Sequence, residues 1–298
     1  MKFAAIDIGS NAVRLQISAL LNGHLVPVYK KVEYVRFPLR LGQDVFDRGV
    51  IGPEAYAKFL KLMEAYKLLM DLFEVEDYVA CATSAMRSSD NGQALVAEVA
   101  RTTGIRIQII DGDQEAAFIS LALMDSLPEG YCLHIDVGGG STELNLYLNR
   151  AKIAARSFAL GSVRNLNKKD SAQEWDLLED WVDAHTGEID DKIVALGTGG
   201  NISKLFSMSG KKPGQRLSLR KLQELRSFIG RHSLDERIQK LQLNPDRADV
   251  ILPASDLYLT IMRWAGCTSI LVPNVGLKDG LLRHLYRQRQ DQAAIDKK

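Results

Sequence analysis

Alternating apolar and polar positions occur at two places in the chain, in each case directly after a short turn of glycine and serine. The first stretch, AAIDIGSNAVRLQIS, begins at Ala4, and the second, CLHIDVGGGSTELNLYL, begins at Cys132. An apolar run ending in an aspartate (Asp7, Asp136) precedes each turn, and a run with every second residue apolar follows it. The pattern predicts two β-hairpins with one apolar face each. In the first hairpin that face carries Val13, Leu15, Ile17 and Ala19.

The remaining periodicities repeat the same order of elements after each hairpin. In the first half we predict a strand in HLVPVYKKVEYVRF, a helix in GPEAYAKFLKLMEAYKLLMDLF, a strand in DYVACAT, a helix over 93–102, a strand in IRIQII and a helix over 114–124. The second half restarts with the hairpin over 131–149, the strand AKIAARSF, a helical segment around AQEWDLLEDWVDAH and the strand KIVALG. This duplicated βββαβαβ order predicts a mixed α/β protein of two lobes around a central cleft. The predicted lobes are residues 1–126 and residues 127–298, the second with helical additions, and LPEG marks the boundary.

Composition and charge narrow the class of protein without identifying it. The 298 residues suffice for two domains, and a formal net charge of +1 provides no overall attraction to nucleic acid or to a membrane surface. The apolar runs fall short of the ~18 residues that a membrane span needs, and the first residues form a strand rather than a signal segment. The three cysteines lie in apolar runs without a CxxC pair. This usage favours buried thiols in a reducing compartment, and we expect a cytoplasmic protein.

The glycine turns are candidate phosphate sites, because backbone N–H groups without Cβ atoms beside them can form a concave anion-binding surface. A strand follows each of the two hairpin turns, which excludes the P-loop and the dinucleotide motif, since both need a helix there. The turn at Gly9 is equally compatible with an ordinary hairpin. The run Gly138, Gly139 and Gly140 weakens a strand unless a backbone must come close to a ligand. A third turn, at Gly199 in VALGTGGNISKL, is a weaker signal.

Three carboxylates and one arginine lie where the predicted strands end or the predicted helices begin. Asp136 ends a strand, Glu143 follows the second turn, and Glu115 opens a helix after IIDGDQE. A phosphate beside these carboxylates requires a divalent cation, and magnesium is the usual partner of carboxylate and phosphate oxygens. Arg87, in CATSAMR, is suited to a bidentate contact with phosphate. For Glu115 an alternative stays open, because a carboxylate in the first turn of a helix also compensates the helix dipole.

Seven segments of the chain, taken in order, resemble the exopolyphosphatase and guanosine-pentaphosphate phosphatase family. They are IDIGSNAVRL, ATSAMR, DGDQEA, IDVGGGSTEL, LGTGGN, RADVILPA and NVGLKDGLL, and they extend from about residue 3 to residue 283. GGGSTE and the order of the segments are specific, whereas single glycine turns are not. The resemblance implies the two-lobed, ribonuclease H-like fold of actin, sugar kinases and chaperone ATPases. It also implies magnesium-dependent hydrolysis of terminal phosphoanhydride bonds in polyphosphate, or of the 5′ phosphate of guanosine pentaphosphate.

The resemblance further implies roles for individual residues. Glu115 is expected to be the base that acts on water, Asp136 and Glu143 to place the metal or the water, and Arg87 to bind substrate. The expected phosphate-binding residues belong to the glycine turns: Gly9, Ser10, Asn11, Gly138, Gly139, Gly140, Ser141 and Thr142, with Gly199 from the third turn.

Departures from the usual sequence of the family modify these expectations. Lys278 and Asp279 stand where arginine and glutamate are more frequent, and Ala254 stands where a glycine is common. Gln114 replaces an acidic residue that often precedes the catalytic glutamate. The sequence stops near residue 298, before the C-terminal helical domain of longer members, so short polyphosphate chains are the expected substrates.

Two other functions stay open at this point. An ATP-dependent kinase of the same fold would need an acceptor site and a base aimed at a hydroxyl, and the sequence marks neither. A non-catalytic sensor of polyphosphate or guanosine nucleotides would use the same turns, although the three carboxylates Glu115, Asp136 and Glu143 argue against it. A homodimer is a further expectation, and no nucleic-acid or membrane partner is expected.

Overall fold

The computed structural model describes residues 1–21, 28–167 and 172–295, and it divides into two compact units. Unit 1 consists of Met1–Leu123 and the C-terminal segment that begins at Val275, and unit 2 is Met124–Asn274. Each unit is built on one β-sheet. Within the described ranges, no helix combines the length and the apolar character needed to cross a bilayer.

Unit 1 opens with three antiparallel strands, which helices and two further strands follow. Its elements are β1 (Lys2–Ile8), β2 (Val13–Leu21), β3 (Val28–Phe37), α1 (Leu41–Arg48), α2 (Pro53–Leu72), β4 (Asp77–Ala82), α3 (Ser84–Arg87), α4 (Gly92–Thr103), β5 (Gln108–Ile109) and α5 (Gly112–Leu123). The predicted third strand therefore begins at Val28, and residues 24–27 of that prediction lie outside the described residues.

Unit 2 repeats this order and adds helices before its last strand. Its elements are β6 (Tyr131–Val137), β7 (Thr142–Leu148), β8 (Ala151–Phe158), a 3₁₀ turn (Arg164–Asn167), α6 (Ala172–Thr186), β9 (Val194–Thr198), α7 (Gly200–Met208), β10 (Leu217–Ser218), α8 (Leu219–Gly230), α9 (Leu234–Gln239), α10 (Pro245–Ala248), α11 (Ile251–Trp264) and β11 (Ser269–Leu271). Helix α12 (Leu277–Ile295) then returns the chain to unit 1.

The two sheets share their strand order. The order is β3-β2-β1-β4-β5 in unit 1 and β10-β11-β9-β6-β7-β8 in unit 2. In each sheet a parallel strand extends an antiparallel hairpin, β4 beside β1 and β9 beside β6. The duplication predicted from the sequence is therefore present in the strand pairing. The carboxyl ends of the parallel strands, where ligands of α/β proteins bind, coincide with the glycine turns.

The first hairpin departs from strict alternation near its end. Val13, Leu15 and Ile17 are fully buried, as predicted, but Ala19 is only half-buried. The pairing of β2 with β3 shifts register between Ile17 and Ser18, because a bulge there leaves one residue of β3 without a partner. Pairing of β2 with β1 stays regular through Ala19, and the polar residues Gln16 and Ser18 of β2 are buried as well.

Helix α12 is the main difference from the predicted division at residue 126. It packs on α5 and β1 of unit 1, although the sequence assigned it to the second lobe. A Cβ on Gly280 would lie 1.8 Å from the carbonyl oxygen of Phe118, and Arg283 donates to the carbonyl oxygen of Leu121 at 3.1 Å. The absence of a side chain at Gly280 thus permits a backbone contact with α5, which no local sequence pattern reveals.

Candidate active site

The 138–141 turn of unit 2 joins the carboxyl end of β6 to the start of β7. Its ends are fixed by the strand pair Val137 and Thr142 and by a hydrogen bond from Gly138 N–H to Ser141 O of 2.9 Å. A Cβ on Gly138 would lie only 3.1 Å from that carbonyl oxygen. Glycine is therefore favoured here by close packing of the turn on itself.

The carbonyl oxygens of this turn point toward the 160–164 loop, which follows β8. Five hydrogen bonds connect them: Ser162 N–H and Ser162 Oγ–H to Gly138 O at 3.0 and 3.1 Å, Val163 N–H and Arg164 N–H to Gly139 O at 2.8 and 3.0 Å, and Arg164 Nε–H to Gly140 O at 2.8 Å. In a trans peptide the C=O of one residue and the N–H of the next point in opposite directions. The N–H groups that follow these carbonyls, those of Gly139, Gly140 and Ser141, consequently point away from the loop.

These three N–H groups form the most distinctive feature of unit 2. Within the described residues none of them donates a hydrogen bond. Gly140 and Ser141 are buried, and Gly139 is half-buried. Because buried N–H groups are nearly always paired in native proteins, three successive ones without an acceptor indicate a place for an anion.

Two carboxylates stand beside this turn. Asp136, near the end of β6, is directly opposite Glu143 on β7. Glu143 is 3% exposed, and its Oε1 accepts a hydrogen bond from Ser157 Oγ at 2.9 Å. Gly199 approaches the same place: its φ is +107°, and a Cβ there would lie 3.1 Å from Asp136 Oδ1. The third glycine turn thus belongs to the same side of unit 2 as the second.

Tyr258 on α11 bridges the ends of β6 and β9. Its hydroxyl accepts the N–H of Val137 at 3.1 Å and donates to the carbonyl oxygen of Thr198. Burial raises its pKa well above the ordinary value, and the charges of Asp136 and Glu143 raise it further. No local sequence signal identifies Tyr258, because a tyrosine inside an apolar helix cannot be told from a core residue.

His134 forms a second buried connection beneath the turn. Its Nδ1 accepts from Asn145 Nδ2 at 3.1 Å, so its Nε2–H faces Thr198 Oγ1 at 2.9 Å. Burial lowers the pKa of His134 to about 3, which keeps the ring neutral. The ring therefore serves to hold β6, β7 and β9 together rather than to carry a proton.

The 9–12 turn of unit 1 has the same backbone arrangement. Gly9 N–H donates to Ala12 O at 3.1 Å, and Ser10 Oγ shares a hydrogen bond of 2.9 Å with Ser84 Oγ. The carbonyl oxygens of this turn also accept from the segment that follows the third strand: Gly42 N–H to Ser10 O at 2.8 Å and Arg40 N–H to Asn11 O at 3.1 Å. The hydroxyl of Ser10 is therefore buried and hydrogen-bonded to the hydroxyl of Ser84.

In unit 1, Arg87 ends α3 and Glu115 lies in the first turn of α5. Arg87 is exposed at the end of α3, and its Nη1 donates to the carbonyl oxygen of Ile110 at 2.5 Å. Glu115 is half-buried in the first turn of α5. Burial raises the pKa of Cys81 to about 12, and the charges of Asp7 and Glu115 contribute to the rise. These two carboxylates therefore lie close enough to act on the same thiol.

The start of α5 explains the unusual Gln114. Gln114 N–H donates to Asp111 Oδ1 at 2.8 Å, and Asp111 N–H donates to Gln114 Oε1 at 3.1 Å. This reciprocal pair is a capping box, in which glutamine and glutamate serve equally well. The departure at this position leaves the helix start intact and fixes the backbone that carries Glu115.

One predicted contact with phosphate is not supported by the geometry. Thr142 is fully buried, and its hydroxyl donates to the carbonyl oxygen of Leu160 at 2.7 Å. Its side chain connects β7 to the 160–164 loop instead of facing the turn's N–H groups. The sequence placed Thr142 with the turn because the GGGST run is continuous, and only the strand pairing shows that β7 begins there.

The described residues contain no cluster of three or more histidine, cysteine, aspartate or glutamate side chains arranged to hold a metal ion. Asp136 and Glu143 are two facing carboxylates. Such a pair suits magnesium, which is commonly bound by one or two carboxylates and completes its coordination with water and substrate phosphate.

The Ppx/GppA phosphatase family matches residues 21–288 of the sequence. The chain belongs to this family. Exopolyphosphatase 1 of Mycobacterium tuberculosis is 24% identical over 323 residues, covering 99% of this chain and 91% of that protein. The bifunctional 3-dehydroquinate synthase/phosphatase of Fusobacterium nucleatum is 28% identical over 293 residues, covering 90% of this chain and 44% of that protein.

Solved structures of this phosphatase family have the same fold. The Aquifex aeolicus member superposes with a TM-score of 0.75 at 26% identity, covering 97% of this chain and 98% of the other. An exopolyphosphatase from Cytophaga hutchinsonii gives a TM-score of 0.83 at 22% identity, covering 96% and 97%. The predicted family and the predicted α/β fold of the actin-like class are therefore confirmed, and the chain is a hydrolase of the phosphatase type.

Proposed function

We propose that this protein releases the terminal phosphate from short chains of inorganic polyphosphate by magnesium-dependent hydrolysis. The observation that carries the proposal is the row of N–H groups at Gly139, Gly140 and Ser141 without an acceptor among the described residues. A phosphate group supplies several acceptor oxygens at once, which a single carbonyl or hydroxyl does not.

In this proposal unit 2 binds the phosphate. The three N–H groups donate to oxygens of the terminal and penultimate phosphates, and they stabilise charge that develops in the transition state. Asp136 and Glu143 would hold magnesium, with water and phosphate oxygens completing its coordination. When bound, the ion would neutralise phosphate charge and polarise the terminal phosphoryl group.

The proposed base is Glu115. Glu115 orients a water molecule and accepts its proton as the water oxygen bonds to the terminal phosphorus. The bridging P–O bond breaks, and its electron pair leaves with the shortened chain. Arg87 is exposed and its guanidinium donates to the carbonyl oxygen of Ile110, and in this proposal it also contacts an oxygen of the substrate.

Guanosine pentaphosphate is the second substrate that we propose to test, because its 5′ end has the same terminal phosphoanhydride and the family includes enzymes named for it. The preference between the two substrates, the homodimer and the cytoplasmic location stay predictions.

A phosphate-release assay tests the proposal. Short polyphosphate, long polyphosphate, guanosine pentaphosphate and ATP are supplied separately, each with magnesium and with EDTA. We expect magnesium-dependent release from short polyphosphate without any added acceptor. Release that needs an acceptor alcohol would indicate a kinase, and tight binding without release from any substrate would indicate a sensor.

A further inference from the structure

We propose that the 160–164 loop sets the orientation of the phosphate-binding peptide groups, with Arg164 as the positioning residue. The inference rests on the proposed function of the 138–141 turn, and it assigns the loop a role in that site. Arg164 acts through the turn: its backbone N–H donates to Gly139 O and its Nε–H donates to Gly140 O.

The need for such a loop follows from the glycines. A peptide group between glycines rotates at little steric cost, because no Cβ atom restricts either neighbour. A free Gly-Gly-Gly turn would therefore present C=O and N–H groups to a ligand with similar ease. Only the orientation with every C=O directed into the 160–164 loop presents three N–H groups together to an anion.

The loop is built to come close to the turn. A Cβ on Gly161 would lie 2.5 Å from the carbonyl oxygen of Gly139, so only glycine permits this approach. The loop is also anchored at two other points: Thr142 Oγ1 donates to Leu160 O at 2.7 Å, and Asn201 Nδ2 donates to Ser162 Oγ at 3.4 Å. The hydroxyl of Ser162 in turn donates to Gly138 O at 3.1 Å.

In unit 1 a neighbouring segment also binds the carbonyl oxygens of the glycine turn, but only through backbone N–H groups. There the segment after the third strand donates backbone N–H groups, from Arg40 and Gly42, to the carbonyl oxygens of the 9–12 turn. A Cβ on Gly42 would lie 2.8 Å from Ser10 Cβ, so a glycine again permits close approach. Unit 2 adds a guanidinium, and a charged donor makes a stronger hydrogen bond than a backbone amide.

Arg164→Gln and Arg164→Lys separate positioning from charge. Loss of one charge-assisted hydrogen bond corresponds to a roughly ten-fold to hundred-fold effect. We expect Arg164→Gln to raise KM for short polyphosphate by about that factor and to lower kcat as well. Arg164→Lys keeps the charge but not the planar Nε–H, so we expect it to recover less than half of the loss on a logarithmic scale. Arg156→Gln, which removes an exposed arginine on β8, is the matched control and should behave as wild type.

A binding measurement keeps this inference distinct from the proposed function. In ¹H–¹⁵N spectra of wild type, added inorganic triphosphate should shift the Gly139, Gly140 and Ser141 amides together and saturably. In Arg164→Gln the Ser141 shift should be lost or strongly weakened, whether or not any substrate is hydrolysed. Absence of phosphate release from wild type with these shifts intact would overturn the proposed function alone. Full recovery by Arg164→Lys, or identical Ser141 shifts in wild type and Arg164→Gln, would overturn the positioning role.

Discussion

In unit 1 the aspartate near the end of the hairpin's first strand is opposite Arg14, whereas in unit 2 the equivalent aspartate is opposite Glu143. Arg14 Nη1 and Asp7 Oδ2 are 2.8 Å apart, and Asp7 is 6% exposed. The first pair therefore balances its own charge. The second pair places two carboxylates across neighbouring strands, an arrangement that destabilises a sheet.

This difference separates a structural hairpin from one suited to a cation. The two hairpins share one sequence pattern and one backbone arrangement. They differ in the charges of the residues that face each other across the two strands. Unit 1 has a salt bridge at the position where unit 2 has two facing carboxylates, the pair proposed above to hold a metal ion. The turns differ in the same sense, since Gly-Ser-Asn-Ala leaves room for side chains and Gly-Gly-Gly-Ser leaves mainly peptide groups.

The strand ends next to the turns differ as well. In unit 1 the ladder continues directly, with Thr83 N–H donating to Ile8 O at 3.0 Å. In unit 2 the hydroxyl of Tyr258 stands between Val137 N–H and Thr198 O. The inserted hydroxyl stands in place of a direct bond between Val137 N–H and Thr198 O, and the pairing of β6 with β9 ends at Asp136 and Thr198.

The largest effect is expected for Glu115. Glu115→Gln should lower the rate of phosphate release by on the order of 10² to 10⁴, because a positioned base is removed. Asp113→Asn removes another carboxylate from the same helical turn and should retain nearly full activity. Steady-state assays on both variants check this, and wild-type turnover in Glu115→Gln would show that the glutamate only compensates the helix dipole.

Because the facing residues differ in charge, neutralising one residue of each pair should have opposite effects. In unit 2 it should lower activity, and in unit 1 it should lower the unfolding free energy. Glu143→Gln should lower magnesium-dependent activity by at least the roughly 10-fold to 100-fold that loss of a metal ligand's support costs. Its unfolding free energy should change little, because one of two facing carboxylates is neutralised. Arg14→Gln should instead lower the unfolding free energy by about 1.5–3 kcal/mol, since Asp7 loses a charged hydrogen-bond partner.

Chemical denaturation and activity titrations with magnesium measure both changes in parallel. If Glu143→Gln were the more destabilised variant and kept its activity, the assigned roles of the two pairs would be reversed.

The buried His134 gives the sheet of unit 2 a pH dependence that has no counterpart at the equivalent position of β1, which Ala5 occupies. Its pKa is about 3 when folded and about 6.5 in an unfolded chain, so the unfolded state binds the extra proton between these values. Stability is therefore full above about pH 6.5 and falls as the pH is lowered, by up to about 1.4 kcal/mol per pH unit. His134→Gln should reduce the slope of unfolding free energy between pH 4.5 and 6, and His232→Gln should leave it unchanged. Equal slopes in wild type and His134→Gln would contradict the assignment.

The smallest effect is expected where the strand ends differ. Tyr258→Phe removes the bridging hydroxyl, and Val137 N–H and Thr198 O can then pair directly. We expect a loss on the order of 1 kcal/mol in unfolding free energy and a fall of a few-fold in turnover. Tyr147→Phe, a buried tyrosine at the far end of β7, is the control for turnover. A larger loss of turnover in the control would show that the position of the hydroxyl is unimportant.

The sequence predicted both hairpins, the duplicated order of elements and the family, because each depends on local periodicity or on short motifs. The sequence did not predict which distant residues contact these motifs. The contacts of Arg164 with the glycine turn, of Tyr258 with two strand ends and of Arg14 with Asp7 arise only once the strands pair. The place of α12 was wrong for the same reason, since Gly280 meets Phe118 across a long stretch of chain. Thr142 was assigned to phosphate because a continuous motif does not show where a strand begins.

Hydrolysis of short polyphosphate in H₂¹⁸O tests directly whether water attacks the terminal phosphorus. If water attacks the terminal phosphorus, as the account requires, each released phosphate carries one ¹⁸O atom from water and the shortened chain carries none, and Glu115→Gln loses this release. Release of phosphate without ¹⁸O, ¹⁸O in the remaining chain, or no release at all in the presence of magnesium would contradict the account.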